Sequence, residues 1–361
     1  MALFGKQSAK SYLGVDIGSG GFKLVELQND KGRAKLVTYA FTERGPEEMA
    51  ANPLDTPEVT ADLVKSMVAR SKARSRRAVS ALPVAGVFSS ILSVPAAAGK
   101  ELKAAIEIQA KKLIPIPLEE MILDWKVLGE VSSAPKGPAP AGNPAGKWTQ
   151  VLLTGAPKKL VQKYIDVAKR AGLELISLET EAFALIRSLV GRDRATTMIV
   201  DIGAVRTNII LVENGIPYLS RSIDLGGLSF TKAIGNALGA SLSAAEQMKA
   251  DVGALSAILP ERGVPKVLEP LMANLGNEMR YLVNLFSSQR PGAASVEKVV
   301  VTGGSALLPR VTDYLQEVLG VKAYLGDPWA RVIYPTELRP QLEIIGPRFA
   351  VAVGLAMRDI E

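Results

Sequence analysis

Residues 14–27 read GVDIGSGGFKLVEL, and residues 199–212 read IVDIGAVRTNIILV. Both run from an apolar strand into Asp-Ile-Gly, through a short turn, and out along a second apolar strand. The apolar-rich runs 12–18 and 22–28, joined at Ser19, Gly20 and Gly21, predict a β-hairpin, and 198–203 with 207–215 predict a second strand-turn-strand. Self-similarity of this kind points to two related halves.

Outward from the first hairpin, a polar stretch with Pro46 and Pro53 leads to a predicted helix at 57–70, with Thr56 as cap and Pro57 at its first position. Leu63, Val64, Met67 and Val68 form its apolar stripe. From 81 to 178 the pattern predicts strands at 84–94, 121–128, 149–155 and 173–178 and helices at 99–113 and 157–171, the order β-α-β-β-α-β of a small split βαβ domain. Val161, Tyr164, Ile165 and Ala168 lie on one face of the second of these helices. The Pro- and Gly-rich segment 129–147 predicts a flexible hairpin tip. Outward from the second hairpin, helices are expected at 228–238, 243–258 and 269–288. A strand at 299–302 then leads through Gly303-Gly304-Ser305 to a helix from Pro309, and a last helix is expected at 346–360.

Composition narrows the chemistry. The 361 residues contain no His and no Cys, which excludes thiolate nucleophiles, Cys zinc sites, His-ligated haem and Ser-His-Asp triads. Hydrophobic residues at 48% and charged residues at 22% are a globular mixture, with length enough for two or three domains. Aromatics at 5% speak against stacking platforms for single-stranded nucleic acid. The formal net charge of +7 favours an anionic partner. The opening MALFGKQSAKSY has no apolar signal-peptide core, and no segment reaches the roughly 18 apolar residues of a membrane span, so the chain reads as soluble and cytoplasmic.

The glycine loops suggest what is bound. Asp16-Ile17-Gly18-Ser19-Gly20-Gly21 is followed by a strand, whereas a dinucleotide fingerprint needs a helix there. The sequence has no Walker-type loop. A glycine hairpin still lets backbone amides approach phosphate closely, with Ser19 adding a hydroxyl and Lys23 a cation. Asp16 and Asp201 would repel phosphate unless a hard cation such as Mg²⁺ lay between. Taken singly, either hairpin also reads as an ordinary turn. Two matched copies and a third strand–Gly-Gly–helix loop at 301–309 favour a nucleotide site.

The trio resembles the actin-like ATPase superfamily, with phosphate segments at 14–27 and 198–215, an adenosine segment at 299–309, and connecting segments at 179–188 and 346–360. The runs GVDIGSGGFKLVEL, IPIPLEEMILDW (114–125), LETEAFALIRSL (178–189) and VTGGSALLPRV (301–311) resemble its FtsA-like branch, and within it the PilM family of type IV pilus assembly proteins. FtsA has an amphipathic membrane helix after a linker, whereas this sequence runs from the second connecting segment straight to Glu361, which favours PilM. The resemblance implies a two-lobed, duplicated ribonuclease H-like α/β fold. Its subdomain 1A would comprise 1–80, 179–197 and 341–361, and an insertion subdomain 1C would comprise 81–178. Subdomain 2A would comprise 198–225 and 296–340, and subdomain 2B 226–295.

The same resemblance implies ATP and Mg²⁺ as cofactors. Asp16 and Asp201 would hold the metal, mostly through water, while Gly18, Ser19, Gly20, Gly21, Lys23, Gly203, Thr207 and Asn208 would contact phosphates. Gly303, Gly304 and Ser305 would lie against the adenosine, Gly227, Glu246 and Lys249 would reach its ribose or base, and Glu181 would orient an attacking water. Ser243-x-x-Glu246 fits a capping box equally well. Two departures stand out. Ala204-Val205-Arg206 replaces the small hydroxyl residues usual in the family, leaving Arg206 to supply charge to a phosphate, and Ala182 stands where relatives often have Pro. With no imidazole available, proton abstraction would rest on Glu181 or water, so a binding switch with weak ATPase activity at most is expected.

The implied partner is the cytoplasmic N-terminal peptide of PilN, held in a groove between 1A and 1C, with 111–127 as a candidate part of its wall. Through it the chain would be peripheral to the inner membrane and its pilus platform. Self-association is possible on this fold, and nucleic acid is not expected. The run 65–77 (KSMVARSKARSRR) carries six basic residues and no acid. It reads as a solvated helix end or as a surface drawn to an anionic leaflet. Rival functions on the same fold are a small-molecule kinase, a filament-forming cytoskeletal or cell-division protein, and a nucleotide-free type II secretion scaffold.

Overall fold

The computed structural model describes residues 11–131, 147–251, 264–289 and 295–360. The chain opens with β1 (Ser11–Gly18), β2 (Gly21–Asp30), β3 (Arg33–Phe41), α1 (Pro57–Arg70) and β4 (Arg77–Leu82). β5 (Phe88–Pro95), α2 (Gly99–Leu113), β6 (Met121–Val131), β7 (Trp148–Pro157), α3 (Lys158–Arg170) and β8 (Glu174–Thr180) follow. Next come α4 (Glu181–Leu185), continued by a π-helical turn at Ile186–Val190, then β9 (Thr197–Ile202), β10 (Thr207–Glu213), β11 (Ile216–Ile223), α5 (Gly227–Leu238) and α6 (Leu242–Ala250). The chain closes with α7 (Glu269–Gln289), β12 (Lys298–Thr302), α8 (Val311–Leu319), β13 (Lys322–Leu325), β14 (Val332–Ile333) and α9 (Arg339–Ala356).

The two hairpins seed sheets of the same connectivity. One runs β14-β3-β2-β1-β4-β8 and the other β11-β10-β9-β12-β13. In each, an antiparallel three-strand meander is extended by a parallel strand beside its first member, β4 on β1 and β12 on β9. This is the duplicated α/β fold expected of two related halves. The strands β3, β4, β11, β13 and β14 were not foreseen; β11, β13 and β14 lie at sheet edges, whereas β3 and β4 are interior strands that the sequence reading passed over.

Residues Leu82–Lys163 form a unit of their own. Its sheet has three strands, β5-β7-β6, and its core is Leu92, Val94, Ile106, Ala110, Ile114, Met121, Val151 and Leu153. The insertion read from sequence as 81–178 is therefore narrower. β8 has the expected strand pattern but joins the first lobe's sheet, next to β4, where the Glu174 amide donates to the Arg76 carbonyl at 2.8 Å. Local pattern identifies a strand without naming its partner. The strand expected from 84 begins at Phe88, after a 3₁₀ turn at Val84–Gly86. Residues 132–146 of the expected flexible tip, and the end of the helix expected at 243–258, lie outside the described residues.

α9 is buried almost all round from Ile345 through Ala356. Two glycines allow it to sit so deep. A Cβ on Gly14 of β1 would lie 2.0 Å from the Ala352 carbonyl oxygen, and one on Gly354 would lie 1.9 Å from that of Ala184 in α4. Arg187 secures the crossing with paired bonds of 2.8 Å to Glu179 and a further bond to the Gly354 carbonyl. Gly354→Ala is expected to destabilise the fold by roughly 2–3 kcal/mol in urea unfolding, because backbone on both sides resists displacement. Gly45→Ala, whose Cβ would meet nothing closer than 3.4 Å, is expected to cost little. Equal stability of the two variants would contradict this account of the crossing.

Candidate functional site

The hairpins place chemically matched residues at the same register. Asp16 stands opposite Lys23, and Asp201 stands opposite Asn208. Lys23 Nζ lies 3.9 Å from Asp16 Oδ2 and donates to the Gly21 carbonyl at 3.1 Å. Asn208 Nδ2 donates to Asp201 Oδ2 at 3.3 Å and, across the lobes, to Glu181 Oε2 at 3.1 Å. The turn tips meet: a Cβ on Gly20 would come within 2.7 Å of the Ala204 Cβ. Behind the first tip, Gly21 has φ +132° and abuts the Thr42 carbonyl, and the Arg44 guanidinium donates to the Ser19 carbonyl at 3.0 Å. The two carboxylates, Lys23, Asn208 and Glu181 thus gather where the halves face each other.

This arrangement is electrostatically unsatisfied. Burial raises the Asp16 carboxyl above its ordinary range, opposed by the Lys23 charge. Burial and the Asp16 charge push Asp201 up to about 6, while the Asn208 hydrogen bond and Lys23 work the other way. Asn208 Oδ1 is buried and has no hydrogen-bond partner. Among the described residues, no group of three or more acidic side chains gathers as a metal cage. Two repelling carboxylates and an orphaned acceptor suit a cation that keeps most of its own waters.

The third loop closes the site from the second lobe. Gly303 has φ +89°, and a Cβ there would strike the Ile202 carbonyl oxygen at 2.4 Å and Asp201 Oδ1 at 2.7 Å. Its amide donates to the Pro347 carbonyl in α9 at 3.0 Å. A Cβ on Gly227 would lie 2.8 Å from Ser305 Oγ and 3.2 Å from Lys249 Nζ. Lys249 in turn donates to the Gly227 carbonyl, Thr231 Oγ1 and Glu246 Oε2 at 3.1, 2.8 and 2.7 Å. Burial pulls the Lys249 ammonium down, with Glu246 opposing and the Arg348 charge adding to the fall. Gly227, Glu246, Lys249, Gly304 and Ser305, expected at the nucleoside, are therefore neighbours.

Some expected contacts are taken up elsewhere. Arg206 donates to Ser222 and pairs with Asp224. Its guanidinium is committed to Ser222 in β11 and to Asp224 just beyond that strand. The Thr207 hydroxyl is fully buried and donates to the Leu225 carbonyl at 2.6 Å, so its role is to tie β10 to the start of α5. Gly203 acts through its backbone, accepting from the Gly227 amide at 2.9 Å. The capping box at Ser243 is not formed. Ser241 caps α6 by accepting from the Ala244 amide, which leaves Glu246 to Lys249 and Thr231.

Three nearby residues escaped sequence reasoning. Tyr164 is buried, and its phenol is raised by burial together with the charges of Glu181 and Asp16. A tyrosine on an apolar helix stripe carries no signal for that. Arg44 braces the first turn, and Arg348, paired with Glu43 at 2.7 Å, borders Gly304 and Lys249. The basic residue flanking Pro347 in the last helix was the only hint of Arg348.

Comparison with known proteins identifies the family and the fold. A family profile described as type IV pilus assembly protein PilM matches residues 14–360. The chain belongs to the PilM family. It is therefore an actin-like protein of type IV pilus assembly. A solved PilM–PilN type IV pilus biogenesis complex contains a chain 27% identical, with TM-score 0.80 over 97% of this chain and 98% of the other. The cell-division protein FtsA of Bacillus subtilis is 25% identical over 199 residues, 49% of this chain and 44% of FtsA. The chain thus spans under half the length of that relative. MreB5 of Spiroplasma citri, solved bound to ADP, shares the fold at TM-score 0.50 and 14% identity, over 96% and 94% of the two chains. No helix of the described residues is long and apolar enough to cross a membrane.

The raised Asp201 carboxyl has a consequence for stability. The folded chain holds this proton up to about pH 6, whereas an unfolded chain releases it near 3.8. The contribution of the group is therefore most favourable below pH 3.8 and is lost as pH rises through 6. Asp201→Asn is expected to stabilise the ligand-free protein by about 3 kcal/mol at neutral pH and hardly at all in acid, read from urea unfolding at several pH values. A gain independent of pH would show that the carboxylate is not under this strain.

Proposed function

We propose that the chain is an ATP-binding, Mg²⁺-dependent adaptor of the inner-membrane type IV pilus platform, which binds the cytoplasmic N-terminal peptide of PilN in a nucleotide-sensitive way. The observation that carries the nucleotide half is the meeting of the two Asp-Ile-Gly turns, with Asp16 and Asp201 repelling each other beside Lys23. Bound Mg²⁺ would supply positive charge to both carboxylates and to phosphate oxygens. Asp16 and Asp201 would hold it through its waters. The amides of Gly18 to Gly21 and the Lys23 ammonium would bind phosphate, and Gly227, Lys249, Gly303, Gly304 and Ser305 would line the nucleoside end. Asn208 keeps the Glu181 carboxylate in a fixed place, as a residue that orients water must be. The ADP-bound MreB5, on the same fold, supports the reading.

The partner half rests on likeness to the PilM chain solved with PilN over nearly the full length of both. Within the insertion, Leu113, Ile116 and Ile122 are exposed apolar side chains in the stretch 111–127, available as peptide anchors. Nucleotide can alter peptide affinity only if it binds one arrangement of the protein better than another.

Two measurements test these halves. Asp16→Ala is expected to abolish Mg-ATP binding in calorimetry while leaving the circular dichroism spectrum and melting cooperativity intact; unchanged affinity would remove the site assignment. The PilN N-terminal peptide, titrated by fluorescence anisotropy, is expected to bind with an affinity that shifts on adding Mg-ATP, and the shift is expected to vanish in Asp16→Ala. Absence of peptide binding in both conditions would refute the adaptor role.

A further inference from the structure

The nucleotide site leaves one strongly charged surface unexplained. α1 ends in Arg70, and the segment 71–76 carries Lys72, Arg74 and Arg76 before β4 begins. Lys65, Arg70, Lys72, Arg74 and Arg76 are all exposed. Arg76 is occupied by the Ala73 and Ser75 carbonyls, and Arg77 lies over the Tyr12 ring. Lys65, Arg70, Lys72 and Arg74 make no ion pair among the described residues, and 65–77 contains no acid to supply one.

The backbone that displays these cations is fixed from below. The carboxylate of Glu26, fully buried in β2, accepts from the amides of Arg74 at 2.8 Å and Ser75 at 3.2 Å. The Thr38 hydroxyl donates to the Ser71 carbonyl at 2.8 Å, the Ser75 hydroxyl to the Ser11 carbonyl at 2.9 Å, and the Glu174 amide to the Arg76 carbonyl at 2.8 Å. A buried carboxylate is costly unless it is well hydrogen-bonded. Here it faces two amides of the basic segment, and strands β1, β2, β3 and β8 all hold that segment in place.

The adjoining helix adds an apolar strip. Val59 and Leu63 are 58% and 39% exposed, and with Ser66 and Arg70 they follow the i, i+4, i+7, i+11 stripe of one α1 face. The opposite side, with Ala61, Val64, Met67 and Val68, is the one packed inward. A solvent-facing stripe that runs from apolar residues into unpaired cations matches a layer that is anionic outside and apolar beneath.

We propose that α1 and the segment 71–76 form a docking surface for an anionic lipid bilayer. Lys65, Arg70, Lys72 and Arg74 meet the headgroups, and Val59 and Leu63 enter the interface. Electrostatic attraction of this type acts within about 10 Å of the membrane and weakens with salt. Single-stranded nucleic acid fits less well, because the segment offers no aromatic side chain for stacking, and a duplex would leave the exposed Val59 and Leu63 without an apolar partner. This face is distinct from the nucleotide residues, and docking through it does not depend on ATP binding.

The test is flotation of the full chain with vesicles of phosphatidylcholine alone, or of phosphatidylcholine and phosphatidylglycerol in equal parts, at low and high salt. Binding is expected only to the anionic vesicles and is expected to fall with salt. Arg70→Glu/Lys72→Glu/Arg74→Glu is expected to lower partitioning about a hundredfold. Val59→Ser/Leu63→Ser is expected to remove the part that survives high salt. Melting curves check that both variants fold. The proposal fails if the native chain floats equally with both vesicles or with neither, if the triple variant floats like the native chain, or if the native chain binds duplex DNA in preference to the anionic vesicles.

Discussion

The close approach of α9 to β1 and α4 is the constraint on which the rest depends. Where Gly14 faces Ala352 and Gly354 faces Ala184, backbone lies against backbone with no room for a methyl group. α9 continues from that crossing to the second lobe, where its Pro347 carbonyl takes the Gly303 amide and the Thr302 hydroxyl. One helix therefore sets the distance between the β1 hairpin and the Gly303 loop. If it stood off by the width of a side chain, the Asp16 and Asp201 turns would no longer meet.

Bringing the turns together concentrates like charge. Burial raises the cost of ionising both Asp16 and Asp201, and the Asp16 charge adds to it at Asp201, while Lys23 and Asn208 relieve only part of it. A ligand that brings positive charge to this place gains more than it would on an open surface, because the protein has already removed competing water. The same logic explains the order around Lys249, whose buried ammonium is held by Glu246, Thr231 and the Gly227 carbonyl. Fold and site are thus coupled through burial: packing that closes the cleft also raises the cost of ionising its carboxylates.

Much of this was legible in the chain. The repeated Asp-Ile-Gly hairpins marked both lobes, and the Gly303-Gly304-Ser305 loop marked the third element, because strand periodicity and glycine requirements are local. The span of α1 was readable from Pro57 and its apolar stripe, of which Val64, Met67 and Val68 pack inward while Leu63 is exposed; Thr56 stands at the N-cap position but makes no side-chain capping bond. What failed to show depended on partners distant in sequence. β8 had a strand pattern but no indication that β4 awaited it. Arg206 had a charge suited to phosphate, yet Asp224 and Ser222 lay within its reach. Tyr164 looked like one more core residue until α3 placed it beside Glu181 and Asp16.

By itself, the sequence determined the duplicated α/β plan, the carboxylate-and-amide chemistry forced by the absence of His and Cys, and the identity of the turns. Each follows from the covalent preferences of short segments and from which functional groups exist at all. Only the tertiary structure decided which of those groups are free to act. Thr207, Arg206 and Glu26 spend their polar atoms on the Leu225 carbonyl, on Ser222 and Asp224, and on the 74–75 amides respectively. Desolvated polar groups must find partners, and the partners are chosen by proximity in space, which a linear pattern does not contain.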